Sequence, residues 1–130
     1  MTEETEEPLT SISELSTTLG LTTRTLRYWE EVGIIESAER ADGAARGYSP
    51  YYVRRIKFIM KLKHLGLTIK EMQSLYSFYG DAKQTDMMIP ALIKTLDEHI
   101  ETLDKRVANL TALRKEIMEY RQRMTDKFKP

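Results

Sequence analysis

Gly20-Leu21-Thr22-Thr23-Arg24-Thr25-Leu26-Arg27-Tyr28-Trp29-Glu30 is the stretch on which the reading of this chain turns. Gly20 suits the left-handed residue that ends one helix, and Thr22 is a good N-cap for the next. Leu26, Trp29 and Val32 then recur every three residues and give the new helix an apolar stripe. Its other face carries Arg24, Thr25, Arg27 and Tyr28. A helix is legible just upstream, where Ser11 can cap, Glu14 can complete a capping box, and Ile12, Leu15 and Leu19 line one side. Two short helices joined by a tight glycine-containing turn make a helix-turn-helix, whose second helix lies in the major groove of DNA.

Downstream the helical period lapses. Ile34-Ile35, then Ala41-Asp42-Gly43-Ala44-Ala45 and Arg46-Gly47-Tyr48, read as a short hairpin with a glycine-containing turn, a wing. Ser49 and Pro50 supply an N-cap and a first-turn proline for a third helix with Val53, Ile56, Ile59 and Met60 on its inner stripe and a basic opposite face. Thr68 with Glu71 forms a capping box, and Leu67 with Met72 a hydrophobic staple, for a fourth helix that runs to about Tyr79 before Gly80.

After a polar connection, Ile89, Ile93, Leu96, Ile100, Leu103, Val107, Leu110, Leu113, Ile117, Tyr120 and Met124 follow one another at intervals of three and four. This is coiled-coil spacing, with one phase shift where two threes fall in succession from Val107 to Leu113. Leu96, Ile100, Leu103, Val107, Leu110 and Ile117 are its expected dimerisation residues, because a helix of that length cannot bury such a seam against itself. Pro90 falls near the expected helix start, where a missing N–H costs little. The organisation expected is therefore a flexible acidic tail (residues 1–9), a winged helix-turn-helix domain (10–80), and a linker with a coiled-coil dimerisation helix (81–130). The fold class is mainly α.

Basic and acidic residues balance at 20 each, but the distribution is uneven. From Gly43 to Lys70 there are seven basic residues and no acidic one, so this segment can face phosphates, while Glu3, Glu4, Glu6 and Glu7 sit in the N-terminal tail. The chain has no cysteine, which excludes thiolate metal sites, iron–sulfur clusters and disulfides. His64 and His99 are too far apart to found a metal site. No nucleophile elbow or phosphate-cradling glycine loop is present, so neither an enzyme nor a bound cofactor is expected. The absence of a leader or an apolar run of roughly 20 residues points to a cytoplasmic, nucleoid-associated protein with no membrane partner.

Residues Thr10 to about Phe78 resemble the MerR family of bacterial transcription regulators. The resemblance is carried by Ser11-Ile12-Ser13-Glu14-Leu15, by the stretch from Gly20 to Glu30, and by Gly33-Ile34-Ile35, Arg46-Gly47-Tyr48-Ser49 and Leu65-Gly66-Leu67-Thr68-Ile69-Lys70-Glu71. Trp29 stands where the family usually has a tyrosine-type aromatic, and Ala44-Ala45-Arg46 where Gly-Tyr-Arg is common. The resemblance implies an antiparallel dimer formed through a long helix. It also implies a pseudo-palindromic promoter operator with RNA polymerase nearby, and activation by bending and untwisting DNA.

On this reading Arg24 and Thr25 approach bases, and Arg27 and Tyr28 clamp phosphates, with Thr22 and Thr23 at the start of the same helix. Arg46 and Tyr48 serve the wing, and Arg54, Arg55, Lys57, Lys63 and His64 are further phosphate candidates. Tyr51, Tyr52, Tyr76, Phe78 and Tyr79 form an aromatic cluster better explained by packing than by a small apolar effector, of which the sequence names none. The alternatives are an architectural or excisionase-like DNA-binding factor without promoter control, and a coiled-coil adaptor that binds protein.

Overall fold

The computed structural model describes residues 8–39, 46–79 and 85–129. Its elements in chain order are β1 (Thr10–Ser11), α1 (Ile12–Leu19), α2 (Thr23–Glu31), β2 (Gly47–Tyr48), α3 (Pro50–His64), α4 (Ile69–Tyr79) and α5 (Thr85–Lys127). The helix starts follow from local chemistry. Ser11, Thr22 and Ser49 are extended residues whose side chains accept from Glu14 N, Thr25 N and Tyr52 N, satisfying donors that a helix start leaves orphaned. Both halves of the Thr68–Glu71 box are made, with Thr68 N donating to Glu71 Oε1 at 2.9 Å and Glu71 N to Thr68 Oγ1 at 3.1 Å.

The end of α2 shows why Gly33 is needed. Ile34 N bonds back to Trp29 O at 3.1 Å and Gly33 N to Glu30 O at 3.0 Å, a closure that requires a left-handed residue, and Gly33 has φ +84°. The chain leaves α2 with Ile34 and Ile35 both buried, so the turn delivers apolar side chains directly into the core.

The expected hairpin is closed by an antiparallel bridge between Ala38 and Gly47, and its second strand also has a partner that the sequence did not show. β2 pairs antiparallel with β1, Thr10 opposite Tyr48 and Ser11 opposite Gly47, and makes an isolated bridge from Gly47 to Ala38. The strand before α3 thus lies between the chain entering α1 and the segment following α2. The expected turn, residues 41–45, lies outside the described residues. Gly47 tolerates no side chain in this arrangement: a Cβ there would stand 2.9 Å from Leu9 Cβ and from Thr10 O.

The chain divides into two compact units, one through Ala91 and the other of Leu92–Pro130. The first extends beyond the expected 10–80 segment, since Met88 in the second turn of α5 is buried. Its core is built on Leu26, Ile34, Ile56, Ile59 and Met72, all fully enclosed, with Trp29, Leu15 and Leu67 nearly so. Each such side chain contributes about 2 kcal/mol through burial. Gln73 on α4 adds a polar tie, donating from Nε2 to Val32 O at the end of α2.

In the second unit every residue from 101 to 123 is exposed. α5 has 43 residues, about 65 Å at 1.5 Å per residue. Its apolar seam is bare, from Ile100 at 55% exposure to Leu110 at 64%. Pro90 is the sixth helical residue, because α5 begins at Thr85, earlier than the sequence suggested. Its missing N–H therefore removes one internal rung, to residue 86.

Candidate nucleic-acid interface

α2 sorts its residues by face. Leu26 and Trp29 point into the core, which leaves Arg24, Arg27 and Tyr28 outside, Tyr28 with 47% of its surface exposed. Thr22 is exposed and Thr23 and Thr25 are half-buried. Thr22 Oγ1 accepts from Thr25 N at 3.0 Å and donates to Thr25 Oγ1 at 2.9 Å, so the Thr25 hydroxyl keeps its own proton to donate outward. The two arginines are not equivalent: Arg27 has Glu30 and Glu31 one turn ahead, whereas no carboxylate lies one turn from Arg24.

Glu30 is the residue that sequence reasoning missed. Its Oε2 accepts the Tyr48 hydroxyl at 2.6 Å, and its Oε1 accepts the Ser37 hydroxyl at 2.6 Å. Ser37 in turn accepts from Arg46, whose Nε reaches Ser37 Oγ at 2.8 Å and whose NH2 reaches Ser37 O at 2.9 Å. One carboxylate on α2 therefore holds both segments paired at Gly47, with short hydrogen bonds of the charge-assisted kind. Burial first, and then the accepting Glu30 carboxylate, raise the Tyr48 pKa well above the ordinary phenol value. Ile12, Arg27, Glu30, Ser37, Arg46 and Tyr48 line a cleft of about 230 Å³ between α2 and the strand.

Two expected contact residues are corrected by their burial. Tyr48 is 1% exposed with its hydroxyl given to Glu30, so it fastens the wing strand and does not present itself to a phosphate. Arg55 is 8% exposed, with its guanidinium 3.6 Å from the Tyr76 ring centroid and NH1 donating to Tyr51. A signal for Arg55 existed in the sequence, since it precedes Ile59 and Leu62 by four and seven positions and so shares their buried stripe. None existed for Tyr48, whose partner lies 18 residues away on another element.

Arg46, Arg54, Lys57, Lys63 and His64 remain exposed, as expected of phosphate candidates. Of the expected dimerisation residues, Leu96 is half-buried, and Ile100, Leu103, Val107, Leu110 and Ile117 are each more than half exposed. Tyr51, Tyr52 and Tyr76 gather around Arg55, while the side chains of Phe78 and Tyr79 lie outside the described residues. Among the described residues no group of three metal-ligating side chains occurs, and no helix is long and apolar enough to cross a membrane.

A helix-turn-helix whose second helix shows a cationic face, braced by a strand and followed by a long helix, defines a winged DNA-binding regulator. Comparison with known proteins makes this specific. Residues 10–77 match the MerR HTH family regulatory protein model, and residues 53–120 the MerR DNA-binding model. The chain is 30% identical over 112 residues to an HTH-type transcriptional regulator, a ZntR homolog, of Haemophilus influenzae, covering 86% of this chain and 81% of that one. It is also 30% identical over 114 residues to a mercuric resistance operon regulatory protein of Bacillus cereus, covering 86% and 83%. Among solved structures it resembles HiNmlR, a MerR family regulator lacking the sensor domain and bound to promoter DNA. There the TM-score is 0.59 at 13% identity, over 93% of this chain and 95% of that one. The lead(II) complex of PbrR691 from Ralstonia metallidurans gives 0.66 at 24%, over 88% and 86%.

The chain belongs to the MerR family, and it is a DNA-binding transcription regulator.

Proposed function

We propose that this regulator works as an antiparallel homodimer that presents two copies of α2 to successive major grooves of a pseudo-palindromic promoter operator. The observation that carries this is the division of α2 into an enclosed face, Leu26 and Trp29, and an exposed face bearing Arg24, Arg27 and Tyr28. Arg24 and Thr25 read base edges, Arg27 and Tyr28 clamp phosphates, and Thr22 and Thr23 approach the backbone at the helix start. Arg46, held by Ser37 and through it by Glu30, touches the backbone from the wing; Arg54, Lys57, Lys63 and His64 extend the track along α3.

The dimer is formed by the seam of α5 through Leu96, Ile100, Leu103, Val107, Leu110 and Ile117, whose exposure in a single chain fits a second helix as cover. Bound within a promoter in the cytoplasm, on the nucleoid and beside RNA polymerase, the dimer bends and untwists the DNA, the cost of deformation being offset by the contacts it gains. Some relatives are named for metal responses; thiolate metal capture does not carry over, because this chain has no cysteine.

The test is duplex binding across a salt series. Binding to its own promoter region should weaken steeply as salt rises, with a log–log slope of about −0.9 for each phosphate neutralised. Salt-insensitive binding, or no preference for the promoter over random duplex, would overturn the reading.

A further inference from the structure

Ala38 and Gly47 bond to each other through both backbone groups, Ala38 N to Gly47 O at 2.8 Å and Gly47 N to Ala38 O at 3.0 Å. Side chains alternate along extended backbone, so the residues flanking that bridge, Ser37, Arg46 and Tyr48, share its other face, where Ser37 and Tyr48 meet Glu30 of α2. Ser37 joins the parts. It is buried, at 6% exposure; its hydroxyl donates to Glu30 Oε1 at 2.6 Å, its Oγ accepts from Arg46 Nε at 2.8 Å, and its carbonyl accepts from Arg46 NH2 at 2.9 Å. Two bonds along one edge of a planar guanidinium fix the plane of the group. The other edge carries one hydrogen of each terminal nitrogen, a second fork that fits a phosphate bidentately, and Arg46 is exposed.

Glu30 and Arg46 are joined through Ser37 and form no ion pair of their own among the described residues. A direct ion pair would orient the arginine but lower the positive charge it presents to DNA. A hydroxyl placed between them orients the guanidinium and keeps the carboxylate one layer back, with its other oxygen on Tyr48. Glu30 also stands three residues from Arg27 on α2, and both line one cleft with Ser37 and Arg46, so the wing arginine is set in register with α2.

We propose that Ser37 is a positioning residue for DNA binding: its hydroxyl, oriented by Glu30, locks Arg46 before DNA arrives, with the outer fork of the guanidinium toward a backbone phosphate. The role rests on the backbone contact proposed for Arg46. An arginine held in advance loses less rotamer freedom on meeting its phosphate, so the hold raises affinity for every duplex alike and carries no sequence preference.

Duplex titrations of the full chain across a salt series test this with Ser37→Ala, Arg46→Ala and the double variant. Ser37→Ala should weaken binding to promoter and random duplex alike, about fivefold for each protomer, the cost of one arginine set loose. Its salt slope should stay as in the unmodified protein, because the same charge still reaches the phosphate; a wing that had merely come apart would lower the slope. Arg46→Ala should weaken binding further and lower the slope, and adding Ser37→Ala to it should cost nothing more. Unchanged affinity or a lowered slope in Ser37→Ala, or additive losses in the double variant, would overturn the positioning role and leave the Arg46 contact standing. No loss in Arg46→Ala would overturn both. Nuclear magnetic resonance of the unmodified protein covers the case in which Ser37→Ala fails to fold: the Arg46 Nε–H should exchange with water about tenfold more slowly than that of Arg24, and equal rates would overturn the hold.

Discussion

Leu26 and Leu103 are both leucines on helices whose apolar positions recur every three or four residues, yet Leu26 is fully enclosed and Leu103 is 52% exposed. The contrast holds between the units to which they belong. The unit through Ala91 covers its own apolar residues with three further helices and a strand pair, so its stability is contained within one chain. In the unit of Leu92–Pro130, residues 101–123 are all exposed, and its seam is written for something outside the chain. Pattern alone marks a surface for burial; what buries it depends on whether neighbouring elements of the same chain are at hand.

That contrast can be broken most forcefully in the seam. Leu103→Lys removes a leucine from both sides of a two-fold interface, at about 2 kcal/mol each, so self-association should weaken on the order of a thousandfold. Sedimentation should return a monomer whose first unit melts as before; a persistent dimer would mean that the seam is not the interface. In the self-contained unit, Leu26→Ala should cost about 3 kcal/mol of folding stability, read by thermal denaturation.

Smaller effects sharpen the comparison within α2. Arg24→Ala should reduce the preference for operator over random duplex by about 2 kcal/mol, while Arg27→Ala weakens both alike and lowers the salt slope by about one unit. Identical behaviour of the two variants in a binding titration would refute the division between base reading and phosphate clamping. Tyr48→Phe should have the smallest effect, about 1.5 kcal/mol for the lost charge-assisted hydrogen bond to Glu30. Hydrogen exchange should then show the Gly47–Tyr48 strand opening more readily while α3 is unchanged.

How far the residues alone led depended on the range of the interaction that decides each element. Helix starts were legible because Ser11, Thr22, Ser49 and Thr68 act within three residues of themselves. Helix ends at Gly20, Gly33 and Gly66 were legible because positive φ favours glycine, and all three adopt it. β1 was not, since two residues hold no period and Thr10–Ser11 finds its partner some 37 positions on. The wing's anchorage was hidden for the same reason: Glu30 reads as one more surface carboxylate until folding brings Ser37 and Tyr48 against it. Basic residues could be counted but not all sorted by face, and Arg55 went inside although its helical phase already said so.

The break in rhythm along α5 has a geometric consequence. Measured outward from a point midway between residues 106 and 107, the seam on either side of Val107 reads the same in both directions: 103, 100, 96, 93, 89 on one side and 110, 113, 117, 120, 124 on the other. That point nearly coincides with the middle of Thr85–Lys127. A strip with mirror spacing can be laid head to tail on its own copy in one alignment that matches every rung but Val107, with Leu103 of one protomer beside the partner's Leu110. Because the chain is naturally free of thiols, mixing Leu103→Cys with Leu110→Cys protein should give a cross-linked heteropair on oxidation, whereas Leu103→Cys alone, its thiols about 10 Å apart along the axis, should not couple.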